Sequence, residues 1–362
     1  MTHNDPTAVK AAKALVLELC ENFDKAEPDA QVSVLSQYTS DTYLWRGLHP
    51  FNEQQGARSV CDVFWKPLRE SFTALQRRVD IFFASPSSIP FADNIQHQVS
   101  PEEQASSVWT CQMGHFMGLM DKPWLDIPPT RRMVFVRFAE FHRVYDGVIK
   151  ESALFIDLIN VMRQAGHYPL PPITGASFMY PGPATSDGRL IDTQPAEQGR
   201  STLAQINRMI SDLSKANEES VRTGNNHVPD DVLATHWDKN MIWYGPDGIG
   251  ATYTIERYRQ QHQNAFRLHL SGKTFNGHVA RFAEGHYGCF FGWPNLTNTA
   301  EGGFLGLPGS NRPADMRVTD VYRSDGNKLV ENWVIIDLPH WLMMQGLDVL
   351  KRMRQLLGVE SL

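Results

Sequence analysis

Cysteine is scarce, positive charge is in deficit and long apolar runs are missing. The four cysteines, Cys20, Cys61, Cys111 and Cys289, are scattered with no CxxC pair. That argues against a disulfide framework or a zinc ribbon, and the four read as small buried apolar residues. Lys and Arg number 34 against 40 Asp and Glu, a formal net charge of −6. A basic footprint for nucleic acid is therefore lacking, and no Lys/Arg cluster marks a membrane surface. No stretch approaches the roughly 20 apolar residues of a spanning helix. The residues from Met1 to Pro6 lack a basic segment followed by an apolar run, so no signal peptide is read and a cytoplasmic location is expected. A G-x-S-x-G elbow, a glycine-rich phosphate loop and a dinucleotide fingerprint are also missing. Their absence argues against serine hydrolysis and hydride transfer, and no cofactor is expected. Without HxH or HExxH spacing, a metal centre built from His115, His142 and Asp157 is the weaker idea, and none is expected.

What is present is an ordinary globular composition, 42% hydrophobic and 20% charged, in 362 residues. That length suits two domains of about 150–180 residues. The chain also repeats itself. RFAEFHR at 137–143 matches RVTDVYR at 317–323, and ESALFID at 151–157 matches ENWVIID at 331–337, both 180 residues apart. TCQMGH at 110–115 faces GCFFGW at 288–293 at an offset of 178, and YLWRG at 43–47 faces MIWYG at 241–245 at 198. Two homologous modules are expected, residues 1–166 and 199–362. The Pro/Gly-rich stretch 167–198 between them reads as a linker.

Each module opens with an amphipathic helix, 7–25 and 201–222, with Thr7 or Asp5 and then Ser201 as candidate N-caps. A strand follows, then a second helix (58–74; 253–268). Next come β segments at 76–85, 106–119, 131–145 and 148–157, and at 273–284, 286–293, 315–324 and 328–337. Tyr145-Asp-Gly and Ser324-Asp-Gly-Asn are hairpin turn signals. Helices first and long antiparallel strands after predict an α+β architecture, with helices on the concave face of a curved sheet around an internal pocket.

This order resembles the SnoaL-like (polyketide cyclase-like) branch of the NTF2-like superfamily. The likeness rests on W-x-G near the first strand (Trp45, Gly47; Trp243, Gly245). It rests also on the loop Gly114–Gly118 with Ile127-Pro128-Pro129-Thr130, and its counterpart Gly306–Ser310. The closing hairpin completes it: Gly326, Glu331, Trp333, Asp337, Gln345 and Gly346, matched in the first module by Gly147, Glu151, Asp157, Gln164 and Gly166, with Ala153 in place of the Trp. The resemblance covers roughly 30–165 and 225–350. It implies two cone-shaped α+β barrels in tandem, an internal pseudo-dimer with homodimerisation left open. Fold does not fix function. The implied activity is cofactor-independent proton transfer on a carbonyl-bearing cyclic substrate: aldol cyclisation, isomerisation, or elimination and hydration, in isomerase or lyase terms. The alternative is a non-catalytic small-molecule-binding or assembly scaffold. The expected partner is a small molecule, neither nucleic acid nor membrane.

Asp157 and Asp337 stand where such cyclases carry their acid/base aspartate, each at the end of an apolar strand that would raise its pKa. Each equally suits an N-cap of the helix that follows. His142 and its counterpart Tyr322 are candidates to polarise a substrate carbonyl. Glu140 and Asp320, two residues earlier, share their strand face, which lines either the pocket or a subunit contact. His115 and Trp293 sit at matched positions on a neighbouring strand. His340, just after Asp337, lies at the cone mouth or in solvent. Trp45, Trp243 and Trp333 suit a planar substrate and equally suit a packed core.

Overall fold

A computed structural model of the chain describes residues 6–88, 99–224 and 229–358. Two compact units emerge. One comprises the chain up to Pro169, Ala184–Thr193 and the stretch from Asp348 onward; the other comprises Leu170–Pro183 and Gln194–Leu347. The Pro/Gly-rich stretch is thus shared between them.

In the first unit the order is α1 (Pro6–Lys25), α2 (Gln31–Tyr38), β1 (Thr39–Gly47), β2 (Asn52–Gln55), α3 (Gly56–Val60), a π turn (Cys61–Trp65) and α4 (Lys66–Ser71). Then follow β3 (Phe72–Ser85), α5 (Pro101–Ser106), β4 (Val108–Met120), β5 (Met133–Tyr145), β6 (Val148–Ile156) and α6 (Leu158–Gln164). The second unit repeats this plan with α7 (Ala196–Thr223), α8 (Asp230–His236), β7 (Trp237–Tyr244), β8 (Ala251–Tyr253), α9 (Thr254–Tyr258), a π turn (Arg259–Gln263) and α10 (Asn264–His269). It ends with β9 (Leu270–Phe275), β10 (Ala280–Glu284), β11 (Tyr287–Ala300), β12 (Pro313–Ser324), β13 (Leu329–Ile336) and α11 (Leu338–Met344). A last helix, α12 (Val349–Leu356), packs with the first unit.

The sheets are built alike. Their strand orders are β2-β1-β6-β5-β4-β3 and β10-β11-β12-β13-β7-β8, with β9 paired to β11. The α+β architecture expected from the sequence is therefore present twice. The sheets are mixed rather than wholly antiparallel, because β1 runs parallel to β6 and β7 parallel to β13. These partners are about a hundred residues apart in the chain, so no hairpin dictates their direction. The hairpin signal holds at β5–β6, where Asp146 and Gly147 both have positive φ (52° and 70°), as a type I′ turn requires. Of the capping candidates in the first unit, Thr7 lies within the helix, whose described part begins at Pro6, and Asp5 lies outside the described residues. The long helix of the second unit starts at Ala196, so Ser201 is interior. Pro195 with Ala196 and Glu197 begins the helix earlier, since a good helix former and an acidic first turn need no side-chain cap.

The repeated W-x-G has a steric cause. A Cβ at Gly47 would run into the Trp45 ring, and one at Gly245 into the Trp243 ring. The tryptophan folds back across the strand end, and only glycine leaves room. Gly245→Ala is accordingly expected to destabilise the fold by ~1–3 kcal/mol, the usual cost of overpacking. Thermal unfolding measures it, and an unchanged midpoint would remove this account of the motif.

Candidate functional site

The second unit encloses a cavity of about 980 Å³, within the range of small-molecule sites. Its floor is the sheet. Side chains alternate along a strand, so Met316, Val318, Asp320 and Tyr322 of β12 and Val334 and Ile336 of β13 present one face, and all six line the cavity. The helical stretch opposite contributes Tyr258, His262 and Phe266, one residue in every four. From β7, Trp243 stacks on the His262 ring with centroids 4.0 Å apart. Burial lowers the His262 pKa to about 3, so its imidazole is neutral at ordinary pH.

Asp320 is the acidic group set into this floor. Its Oδ1 accepts from the Tyr322 hydroxyl at 3.0 Å and from Asn332 Nδ2 at 3.3 Å. Among the described residues no hydrogen bond reaches Oδ2 and no cation pairs with the carboxylate. Burial therefore dominates and pushes its pKa up to about 7, against the two hydrogen bonds that favour the ionised form. Tyr322 is driven well above the usual tyrosine range, first by burial and then by the Asp320 charge, and stays a neutral donor. Tyr258 moves the same way for the same reasons. Its hydroxyl oxygen accepts from Gln263 Nε2 at 2.6 Å, which leaves its own hydrogen for another acceptor.

The first unit carries the same design with the space filled. Glu140 occupies the position of Asp320, but Arg77 Nη1 meets its Oε2 at 2.5 Å and Gln112 Nε2 donates to it at 2.7 Å. His142 Nε2 lies 3.7 Å away. Burial alone would raise the Glu140 carboxyl, yet Arg77 and His142 outweigh it and hold it at about 2. The Arg77 guanidinium also lies over the rings of Trp65, Phe116 and Phe138 at 5.0–5.6 Å. What remains is about 20 Å³ beside Trp45, Glu140 and His142, room for roughly one water.

The expected site residues therefore divide. Asp320, Tyr322 and Trp243 come together around the large cavity; Trp45, Glu140 and His142 come together in the filled one. Asp157 and Asp337 lie elsewhere. Each caps the next helix, accepting from the backbone N–H of Asn160 and of His340, both at 3.2 Å. Each also faces an arginine of the neighbouring strand, β5 or β12: Arg137 at 4.0 Å and Arg317 at 3.3 Å. Trp293 packs under Arg317, its ring centroid 4.3 Å from the guanidinium carbon. Trp333 stacks on Tyr244 and donates through Nε1 to the Pro181 carbonyl at 3.0 Å. None of Asp337, Trp293, Trp333 and His340 lines the cavity. His115 Nδ1 lies 3.8 Å from Asp80. His142 Nδ1 meets Ser152 Oγ at 2.7 Å, so His115, His142 and Asp157 do not converge. Among the described residues no group of three such side chains could hold a metal ion.

Tyr258, His262, Arg267 and Lys273 also line the cavity and were not anticipated. The first two were legible as an aromatic stripe, Tyr258, His262, Phe266, at helical spacing. Arg267 and Lys273 carried no such signal.

No family model matches the chain, and neither does any curated protein. Solved structures do. A protein of Jannaschia sp. CCS1, provisionally named a SnoaL-like polyketide cyclase, is 20% identical, covers 48% of this chain and 100% of its own, and has a TM-score of 0.32. An NTF2-like protein of Burkholderia thailandensis E264 is 14% identical, covering 44% of this chain and 97% of its own, with a TM-score of 0.29. A protein of Xanthomonas campestris pv. campestris, provisionally named a polyketide cyclase, is also 14% identical, covering 44% and 98%, with a TM-score of 0.29. Each relative spans about half of this chain. No helix of the described residues is long and apolar enough to cross a membrane.

The raised pKa of Asp320 fixes the sign of a stability effect. An acid whose folded-state pKa lies above its unfolded value favours the protonated fold. Its destabilising contribution is absent below about pH 4, grows as the pH rises to about 7, and is constant above that. Asp320→Asn keeps an acceptor for Tyr322 and removes the charge. It is expected to raise the unfolding temperature by a margin that widens between about pH 4 and about pH 8. A margin independent of pH would show that the carboxylate is not shifted.

Proposed function

We propose that the second unit is a cofactor-independent acid–base catalyst acting at a carbon next to a carbonyl in a cyclic substrate. The observation that supports this is a cavity-lining carboxylate with no cation partner among the described residues and a pKa near 7. Removing a proton α to a carbonyl needs a base within hydrogen-bond reach of that carbon, poised near the working pH. Asp320 suits that role better than Asp337, whose carboxylate caps a helix and faces Arg317. In the forward step Oδ2 takes the proton. Electron density moves onto the carbonyl oxygen, and the Tyr258 hydroxyl stabilises the enolate by donating its hydrogen. Protonated Asp320 then returns the proton to carbon or to a leaving oxygen. That one step serves isomerisation, aldol closure or elimination. Tyr322 holds the carboxylate in place through Oδ1. The stacked pair Trp243 and His262 forms a flat wall for a ring.

The test is α-proton exchange. A panel of cyclic ketones is screened for thermal stabilisation, and each ligand found is incubated with the protein in D2O and followed by NMR. Exchange is expected to rise with pH as Asp320 ionises near 7. Asp320→Asn is expected to lower it about 100-fold or more. Asp337→Asn should lose ~1 kcal/mol of stability, as cap losses do, with exchange largely retained. Exchange unaffected by Asp320→Asn would overturn the assignment. Ligands that bind without exchanging would indicate the alternative, a binding scaffold.

A further inference from the structure

A second charge in the cavity has no evident use in that proton transfer. Arg267, on α10, lines the cavity and is only 6% exposed. Its Nη1 donates to the Ala216 carbonyl at 2.9 Å. Nε and Nη2 have no hydrogen-bond partner, and no carboxylate among the described residues pairs with the guanidinium. Glu218 and Glu301 also line the cavity, but neither reaches it, and Glu301 instead accepts from Ser271 Oγ.

The equivalent arginine of the first unit shows what a satisfied guanidinium looks like at this position. Arg69, on α4, donates to the carbonyls of Phe23 at 2.7 Å and Ala26 at 3.1 Å, and pairs with Asp24 at 3.7 Å. Arg267 has lost those partners and kept its charge. A buried cation without a counter-charge is unfavourable unless something supplies one. Lys273 adds to the imbalance. It too lines the cavity, with its Nζ bonded to the Leu270 carbonyl and 5.4 Å from the Phe266 ring centroid. Burial and the nearby Arg267 charge hold its ammonium down at about 8.

We propose that Arg267, with Lys273 beside it, binds a carboxylate carried by the ligand of this cavity. Nε–H and Nη2–H form the side-on fork that meets both oxygens of one carboxylate in parallel, the strongest and most specific geometry a guanidinium offers. Two cations with no ion-paired acid among the described residues match one such group and disfavour a neutral ligand. Combined with the reading of Asp320, on which this last step rests, the substrate is a cyclic keto acid. Its carboxylate is anchored at Arg267 and its reactive carbon is presented to Asp320.

The experiment compares 1-naphthoate with 1-naphthamide, a pair of equal shape and different charge, by calorimetric titration near pH 7 at low salt. The intact protein is expected to bind the acid at least about ten-fold more tightly than the amide, with the preference falling as salt is added. Arg267→Gln should reduce that preference to within about two-fold while amide affinity stays unchanged, and Arg267→Lys should retain part of it. Asp320→Asn should keep the preference even though it is expected to lower exchange about 100-fold or more, so the two readings fail separately. Thermal unfolding supplies a control for folding: Arg267→Gln is expected to leave the midpoint equal or higher, whereas Arg69→Gln lowers it. Equal binding of acid and amide, no binding of the acid, or a preference that survives Arg267→Gln would overturn the proposal.

Discussion

The character of each unit turns on whether an arginine stands next to the carboxylate on its central strand. In the first unit Arg77 reaches Glu140 at 2.5 Å, and its guanidinium is stacked among Trp65, Phe116 and Phe138. Removing either partner would leave the other charged and buried, which is why such pairs are hard to lose once made. The same pair fills the interior and fixes Glu140 as a permanent anion. In the second unit the carboxylate persists as Asp320 and the cation does not. Two consequences follow from that single loss. The volume the arginine would occupy is available as cavity, and the carboxyl, now opposed only by burial, titrates near neutrality.

The backbone explains how the arginine can be missing. Arg77 sits on β3, an unbroken strand along the edge of the sheet. In the second unit regular pairing lapses between Phe275 and Ala280, although the Asn276 and Val279 N–H groups still bond the Asn295 and Phe291 carbonyls of β11, so β9 and β10 are separate strands. Asn276, inside the gap, turns to Thr297 at 2.8 Å. Side-chain size works in the same direction. Where the first unit has Trp65 and Phe138, the second has Gln263 and Val318, and both of these line the cavity. A break in one strand and two large-to-small differences are enough to turn a packed interior into an open one, because interiors are otherwise filled to near crystal density.

Much of the fold was legible because the repeated residues do scaffold work. Gly47 and Gly245 make room for the returning tryptophan. Asp157 and Asp337 cap helices and face Arg137 and Arg317. Glu151 and Glu331 face Arg143 and Arg323 across their hairpins, at 3.2 Å and 3.3 Å. A motif found twice in one chain reports what both copies need, and both copies need to fold. The large cavity belongs to one copy, and several of its residues stand where the repeat is broken, Asp320 for Glu140, Tyr322 for His142 and His262 for Phe64, while Trp243 and Arg267 stand where it holds. Period-two alternation did place Asp320 with Tyr322 on one strand face. It left open which face met the interior, because both faces mix polar and apolar residues: Arg317, Thr319, Val321 and Arg323 on one, Val318, Asp320 and Tyr322 on the other. The break between β9 and β10 was read as a continuous strand, since Thr274, Phe275, His278 and Val279 suit an extended chain. Arg267 was hidden for a simpler reason. Its counterpart Arg69 is an ordinary satisfied cation, and sequence does not show which partners a side chain has lost.

Arg267 and Asp320 thus express one pattern. Each is an ionisable group held at a position where the other unit neutralises its equivalent, Arg69 with Asp24 and carbonyl oxygens, Glu140 with Arg77. Replacing such unpaired charges commonly stabilises a fold. Their presence in the unit that also has an open cavity is the arrangement expected of a binding site, where stability is given up for groups that are completed only by a ligand. The first unit shows the opposite choice made on the same scaffold: Glu140 is matched by Arg77 and Arg69 by Asp24, and the space beside Glu140 is reduced to about 20 Å³.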